Sequence, residues 1–469
     1  MKMTIDFILE STKGTLISGN RADTIEGISI DTRSLAPGQL FFALTGENGD
    51  GHDFIEQALA AGATGVVVSR AETAAAMASR GTVILVDNTL AALQALAGSY
   101  RQLFRIPMVA VTGSVGKTTT KEILAGCLGI AHKTLKTPGN YNNEIGLPLT
   151  LLGLEPDHGA AVVELAMRAP GEIAFLAGIV KPSVAIITNI APVHLETMGS
   201  MENIAKAKCE VLEYIIPGGF AMINGDHRLL LEAAKRYNCR RFTFGYDEGC
   251  DFQILAAEIA GKGANLRLRL LDSAWTFHLP TPATRLAPDA AAAIATAYLL
   301  GQNIQEIQAG LDTYLPGPHR LNLIDLPGGG LIIDDSYNAN PISMQAALEV
   351  CRDMSRGRRT IAVLGDMAEL GEYEPTGHKE VGRSAAVAGI DLLLTVGPRA
   401  ELIAEGARQA GMPGSRVTHY PTREECAKVF GTLVTQQDVV LFKASRSMKL
   451  EDLVDDFKQV AFGSKVDNV

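Results

Sequence analysis

One stretch limits the fold of this chain more than any other: VAVTGSVGKTTTKEIL, from Val109 to Leu124. The β-branched apolar run IPMVAVTG that leads into it reads as a buried strand, and the residues after it suit a helix. Between them lies a phosphate-binding turn. The usual spacing, G-x-x-x-x-G-K-[ST], needs a glycine at position 111, and that residue is Val111. In this shorter turn Gly113 and Gly116 reach backbone angles closed to other residues. Consecutive N–H groups from Gly113 through Ser114, Val115 and Gly116 then converge on phosphate oxygens, and the helix starting near Lys117 adds its positive end. Lys117 is placed for the β- and γ-phosphates, and the Thr118 hydroxyl, followed by Thr119, for Mg²⁺. A glycine-rich turn that binds nothing is the alternative. The preceding strand, the helix and the K-T-T together favour a nucleotide.

The rest of the chain repeats the alternation of short apolar strands with helix-length segments, which predicts mainly parallel α/β sheets. Three blocks are expected, over residues 1–103, 104–315 and 316–469. The first carries QLFFAL, TGVVVSR and TVILVD. The second carries the phosphate turn, AAVVELAM, VAIITNI and GFAMING, with residues 250–280 alternating as antiparallel strands do. The third opens at the Pro/Gly joint YLPGPHR and carries GLIIDDSYN, TIAVLGDM, DLLLTVG and DVVLFKASR. Ligands of such sheets bind at the carboxyl ends of strands, so a third sheet facing the second makes an interdomain cleft.

Composition excludes several classes. A formal charge of −10 over 469 residues argues against nucleic acid as a partner. Six scattered cysteines without a C-x-x-C pair read as reduced thiols in a cytoplasmic protein. Asp6 and Glu10 stand where a signal peptide needs an apolar core. The longest apolar run, from Ala290 to Gly301, is too short to span a bilayer, so no membrane insertion is expected.

The form TGSVGKTT resembles the Mur ligase family of peptidoglycan amino-acid ligases and folylpolyglutamate synthase. TPGNYNNEIGLPLTLL (from Thr137), AVVELAMRAPGEI, ITNIAPVHLETMGSMENIAKAKCEV, IDDSYNANP (from Ile333) and LGDMAELG (from Leu364) carry the same resemblance, which covers nearly the whole chain. It implies a central P-loop NTPase-like domain flanked by an N-terminal uridine-nucleotide-binding α/β domain and a C-terminal Rossmann-like α/β domain. It implies ATP and two Mg²⁺ ions as cofactors. Its C-terminal motifs imply, as substrates, a UDP-N-acetylmuramoyl-tripeptide activated as an acyl phosphate and D-alanyl-D-alanine as the attacking amine. A monomer is expected.

Residue roles divide between what the residues say and what the resemblance adds. Glu164 ends an apolar strand beside the phosphate turn, and a carboxylate there suits Mg²⁺ better than it suits a solvated strand end. His194, taken alone, reads as a structural histidine; the resemblance makes it a ligand of a second metal. Lys206 pairs with Glu202 at i,i+4 as a surface ion pair would. The resemblance implies a carbamylated, metal-binding lysine on this helix, for which Lys208 fits and Lys206 is the fallback. It also places Thr32, Arg33, Gly46, Asp50, Gly51 and His52 at the uridine nucleotide, and Asn140, Asn142 and Asn143 at the sugar nucleotide, where plain turn chemistry is the alternative. Asp335, just past a strand, suits ribose hydroxyls. Asn338 belongs with it at ATP, Arg320 at the γ-phosphate, and Tyr337, Asn340, Lys443, Ser445 and Arg446 around the amino-acid pocket.

Three departures from the family pattern stand out. Arg285, Leu286 and Asp289 occupy positions where the family carries His, Asn and Asn, which leaves nucleotide contacts from that segment open. The joint reads PGPHR rather than ending G-R, and KASR replaces K-G-S-R. Two other activities remain: a sister ligase adding diaminopimelate or lysine as the third residue, against which the absence of D-N-P-R argues, and a P-loop protein that hydrolyses nucleotide to switch partners.

Overall fold

The computed structural model describes residues 2–46, 49–192 and 195–462. It has the expected α/β class, with three larger sheets of mainly parallel strands among the described residues. The first sheet runs Thr15–Ser18, Thr82–Leu85, Gly65–Val68, Gln39–Phe42, Gly27–Ser29 from edge to edge, and only Thr15–Ser18 is antiparallel to its neighbour.

The middle sheet has Met108–Thr112 third from one edge, between Ala160–Glu164 and Val184–Ile187. Thr134–Lys136 lies outside Ala160–Glu164. On the other side follow Phe220–Asn224, Arg240–Gly245 and Phe252–Ala260, all parallel. Gly263–Leu270 and Ser273–Leu279 then turn antiparallel, as the alternation in 250–280 predicts. Each residue of Met108–Thr112 is buried, which is why the strand reads as an unbroken apolar run.

In the third sheet the order is Asn322–Asp325, Leu331–Asp334, Val439–Lys443, Thr360–Gly365, Leu392–Val396, Val417–Tyr420, with only Asn322–Asp325 antiparallel. The sequence reading had no strand at Thr134–Lys136, Arg240–Gly245, Asn322–Asp325 or Val417–Tyr420. Three of these are edge strands of three or four residues with polar positions, and the fourth opens with two exposed arginines.

One apolar core runs from the first sheet into one face of the middle sheet. The helix Thr89–Arg101, capped by Asn88, bridges the two. Its buried Arg101 donates from Nε to the carbonyl of Val180 at 2.8 Å and from Nη2 to that of Lys181 at 3.2 Å, so it satisfies the end of the helix Glu172–Val180. The opposite face of the middle sheet packs on the helix Lys117–Gly129 and the alanine-rich helix Ala287–Leu299. The third sheet has a core on each face. Contacts that tie it to the middle sheet among the described residues include Arg285 with Glu349, Lys262 with Asp325, and Arg356 with the carbonyl of Gly261. Among the described residues no helix is long and apolar enough to cross a membrane.

Candidate active site

The phosphate turn follows the carboxyl end of Met108–Thr112. Val111 stays in the strand, paired with Glu164 and Ile186, and the turn begins two residues later. Gly113 has φ +149°, and a Cβ there would lie 1.9 Å from Oγ1 of Thr188. Gly116, at φ +82°, starts the helix. Both glycines are therefore demanded by backbone angle and by space. Asn189 holds the turn from below: its carbonyl accepts from Ser114 N at 3.1 Å and its Oδ1 from Val115 N at 2.9 Å. Neither Asn189 nor Thr188 was singled out from the sequence, although both sit in the quoted ITNI segment.

Lys117 curls over the turn and donates to the carbonyls of Gly113 at 2.8 Å and Ser114 at 3.4 Å. Burial lowers its pKa, opposed by the charge of Glu164. Thr118 donates to Oε2 of Glu164 at 2.9 Å, while Nδ2 of Asn142 donates to Oε1 at 2.8 Å. Glu164 is buried, and its backbone N–H is taken by Oγ1 of Thr137. The carboxylate is thus fixed beside a hydroxyl, and these hard oxygens suit Mg²⁺.

A cleft of about 720 Å³ opens from this turn towards the third sheet. Ser114, Val115, Gly116, Lys117, Thr118 and Thr119 line one wall with Asn140, Asn142 and Glu164. Arg320, Asp335, Tyr337, Asn338, Asn340 and Lys443 line the other. Register explains the second wall. Asp334 pairs with Phe442, so Asp335 and Lys443 emerge side by side. Lys443 donates to Oδ2 of Asp335 at 2.6 Å and to the carbonyl of Asn338 at 2.9 Å. Burial raises the pKa of Asp335, and Lys443 opposes that. Arg320, between His319 and Leu321 in left-handed conformations, stacks its guanidinium 4.1 Å over the ring of Tyr337. Tyr314 also lines the cleft beside Thr119, and burial pushes its hydroxyl up to about 12.

The remaining expected residues are dispersed. Lys208 is buried outside the cleft lining, and burial first, then the charge of Lys117, drives its pKa well below that of an ordinary lysine. Lys206 is exposed. His194 lies outside the described residues. Asn143 accepts from Gly146 N at 2.9 Å, and Asn340 caps the helix Pro341–Ser355 with Ser343, so both serve the backbone. Ser445 accepts from Ala368 N at 2.8 Å and Arg446 pairs with Glu451; neither lines the cleft. Thr32 and Arg33 follow the strand Gly27–Ser29, Gly46 and Asp50 belong to a separate two-stranded antiparallel ladder, and Gly51 and His52 to a single 3-10 turn; none of them lines the cleft. Arg33 holds the Asp31 carboxyl down at about 2, and Asp50 receives Nδ1 of His52 at 2.6 Å and also pairs with Arg70.

The segment that departs from the family pattern is built into the cleft. Asp289 lies beside Gly116, and burial raises its carboxyl to about 7, opposed by Lys117. Arg285 donates from Nε to Glu349 at 2.7 Å across the cleft. Leu286 lines it.

Family models of the Mur ligase middle domain, the Mur ligase glutamate ligase domain and the Mur ligase family catalytic domain match residues 111–297, 319–446 and 24–101. The chain belongs to the Mur ligase family. Among Mur ligases it is 38% identical to the UDP-N-acetylmuramoyl-tripeptide–D-alanyl-D-alanine ligase of Bacillus subtilis, over 97% of this chain and 98% of that one. The crystal structure of MurF from Acinetobacter baumannii superposes with a TM-score of 0.88 at 32% identity, covering 98% of this chain and 99% of that one. MurF from Thermotoga maritima, solved in complex with ADP, superposes with a TM-score of 0.81 at 30% identity, covering 94% and 98%.

Proposed function

We propose that this chain is an ATP-dependent carbon–nitrogen ligase that joins D-alanyl-D-alanine to the terminal carboxylate of UDP-N-acetylmuramoyl-tripeptide. The observation that carries the reading is the two-walled cleft. Lys117, Thr118 and Glu164 face Arg320, Asp335 and Lys443 across it, in a chain whose Bacillus subtilis relative bears that activity in its name. The ADP held by the Thermotoga maritima relative supports ATP as the nucleotide.

A carboxylate is a poor electrophile and repels a triphosphate. In the proposed reaction a carboxylate oxygen attacks the γ-phosphorus, the bond to the β-phosphate oxygen breaks, and ADP and an acyl phosphate result. The amine nitrogen then attacks the acyl carbon, the bond to the phosphate oxygen breaks, and the amine proton passes to solvent. Catalysis of the first step is positioning and charge neutralisation. Backbone N–H groups of the turn and Lys117 hold the phosphates, and Arg320 approaches from the opposite wall. Thr118 and Glu164 would hold Mg²⁺, which supplies further positive charge to the phosphates when bound. Burial lowers the pKa of Lys208, which favours the free amine that reacts with CO₂; the carbamate, formed with loss of one proton, would be an anion suited to a second ion, with His194 as the companion ligand.

The proposed binding duties are the uridine nucleotide for residues 1–103, ATP and metals for 104–315, and the adenine edge and amine substrate for 316–469. In the first, Thr32, Arg33, Gly46, Asp50, Gly51 and His52 are the proposed contacts. The test is phosphate release by the purified chain. It should require ATP, the UDP-linked tripeptide and D-alanyl-D-alanine together. Diaminopimelate serving in place of the dipeptide would favour the sister ligase, and release without any acceptor would favour the nucleotide switch.

A further inference from the structure

The joint PGPHR puts a histidine, His319, directly before the arginine, where the family pattern ends G-R. His319 stands at φ +57°, in the left-handed region that glycine enters freely and histidine only at a cost. A residue held against its backbone preference needs a contact that keeps it there, and His319 has one: Nδ1 lies 2.8 Å from Oδ2 of Asp334. A carboxylate only accepts, so Nδ1 carries the hydrogen of this bond. Asp334 is itself fixed. It ends the buried strand Leu331–Asp334, and its other oxygen, Oδ1, accepts from the hydroxyl of Ser336 at 2.6 Å and from Ser336 N at 3.2 Å.

Two backbone bonds complete the mooring. Tyr337 N donates to the carbonyl of His319 at 3.0 Å, and Leu321 N donates to Oδ1 of Asp335 at 3.1 Å. Arg320 lies between these points, so its backbone is pinned on both sides to the segment from Asp334 to Tyr337. Its guanidinium leaves this frame 4.1 Å over the ring of Tyr337, on the cleft wall opposite the phosphate turn. On the other side of the joint Tyr314 packs in the core of the middle sheet, whereas Leu315 is exposed. The loosely held part of the joint therefore precedes Gly317, and Arg320 moves as part of the third sheet.

We propose that His319 is a positioning residue for Arg320: its bond to Asp334 fixes the arginine in the frame of the third sheet, so that the guanidinium is preset for the terminal phosphate of the nucleotide instead of being ordered by it. This rests on the reading that Arg320 meets the γ-phosphate. A glycine at position 319 reaches the same backbone angle without the tether, and the joint then has more conformations to lose on binding. Ordering one freed long side chain weakens binding by roughly two- to tenfold.

Calorimetric titration of the full chain in Mg²⁺ with ADP and with β,γ-methylene ATP separates the terminal phosphate from the rest of the nucleotide. Arg320→Ala should weaken the triphosphate analogue relative to ADP by at least about tenfold; an unchanged ratio removes the γ-phosphate reading and the proposal with it. Where that ratio falls, His319→Gly should weaken the analogue by roughly two- to tenfold and leave ADP at its parental affinity. Unchanged analogue binding, or equal loss of both nucleotides, overturns the proposal and leaves the reading of Arg320 intact. His319→Asn should restore analogue binding, because asparagine tolerates the left-handed region and its Nδ2, bonded to Cγ as Nδ1 is, can donate to Asp334. An asparagine variant no better than the glycine one overturns the proposal. In the Arg320→Ala background His319→Gly should change the ratio no further; an additional loss there shows that His319 acts by another route and overturns it as well.

Discussion

The carboxyl group of Asp289 packs so closely on Gly116 that a Cβ built on the glycine would lie 2.0 Å from Oδ1. The phosphate turn is therefore buttressed from the alanine-rich helix. Gly116→Ala meets this clash and the left-handed φ together. It should cost roughly 2 kcal/mol of stability and weaken ADP binding by at least about tenfold. Thermal unfolding and titration with ADP check both; parental affinity in the variant would show that the turn tolerates a side chain here.

Asp289 also makes stability depend on pH. Burial lifts its carboxyl to about 7. Because the folded value lies above the unfolded one, the contribution is complete below about pH 4 and is lost as pH rises through about 7. Asp289→Asn keeps the shape without the charge. It should raise the melting temperature at about pH 8 by the equivalent of on the order of 2 kcal/mol, with little gain near pH 4. Parallel melting curves of the two proteins across this range would contradict the prediction.

Among the described residues Lys117 bonds only to carbonyls of its own turn. Lys117→Ala should therefore leave the fold intact and lower turnover by about 10²- to 10³-fold, as loss of one charge-stabilising donor does. Phosphate release at saturating substrates reads this out, with circular dichroism as the control. Undiminished turnover would remove the role given to this lysine.

Glu164→Gln keeps an acceptor for Thr118 but removes the charge. The magnesium concentration for half-maximal phosphate release should rise at least about tenfold, with little change in melting temperature. An unchanged magnesium requirement would move the metal away from Glu164.

Among the described residues, the side-chain contacts between the third sheet and the middle one include two exposed ion pairs and one further hydrogen bond, near the joint at residues 314–320. Exposed pairs contribute about 0–1 kcal/mol each, so the orientation of the two is set by little energy. Glu349→Ala should leave the melting temperature nearly unchanged and increase the radius of gyration of the unliganded protein, which ATP with the tripeptide substrate then decreases. Identical X-ray scattering of free and liganded forms would exclude such a motion.

Much of the frame was legible because it is local. Buried parallel strands must be continuous apolar runs, and Val109, Val162, Ile186, Ile332 and Leu441 announce themselves that way. The phosphate turn was legible because its glycines answer to backbone angle. Short edge strands such as Thr134–Lys136 and Val417–Tyr420 were not, since their pattern is half polar and pairing with a neighbour is what makes them strands. Asn340 and Asn143 were read as substrate contacts; each accepts a backbone N–H through Oδ1, and Asn340 also lines the cleft. An asparagine in a loop carries the same letter whether it caps a helix or greets a ligand.

The sequence alone determined the α/β class and the strand, glycine turn and helix that carry Lys117 and Thr118, with Glu164 ending a neighbouring strand, because each follows from residues within a few positions or at a strand end. Only the tertiary structure decided that Asn189 underpins the turn, that Asp289 presses on Gly116, that Lys443 reaches Asp335, and that Arg285 meets Glu349. These pairs are separated by many residues and meet only through sheet register and the approach of one sheet to another. Chain order carries neither.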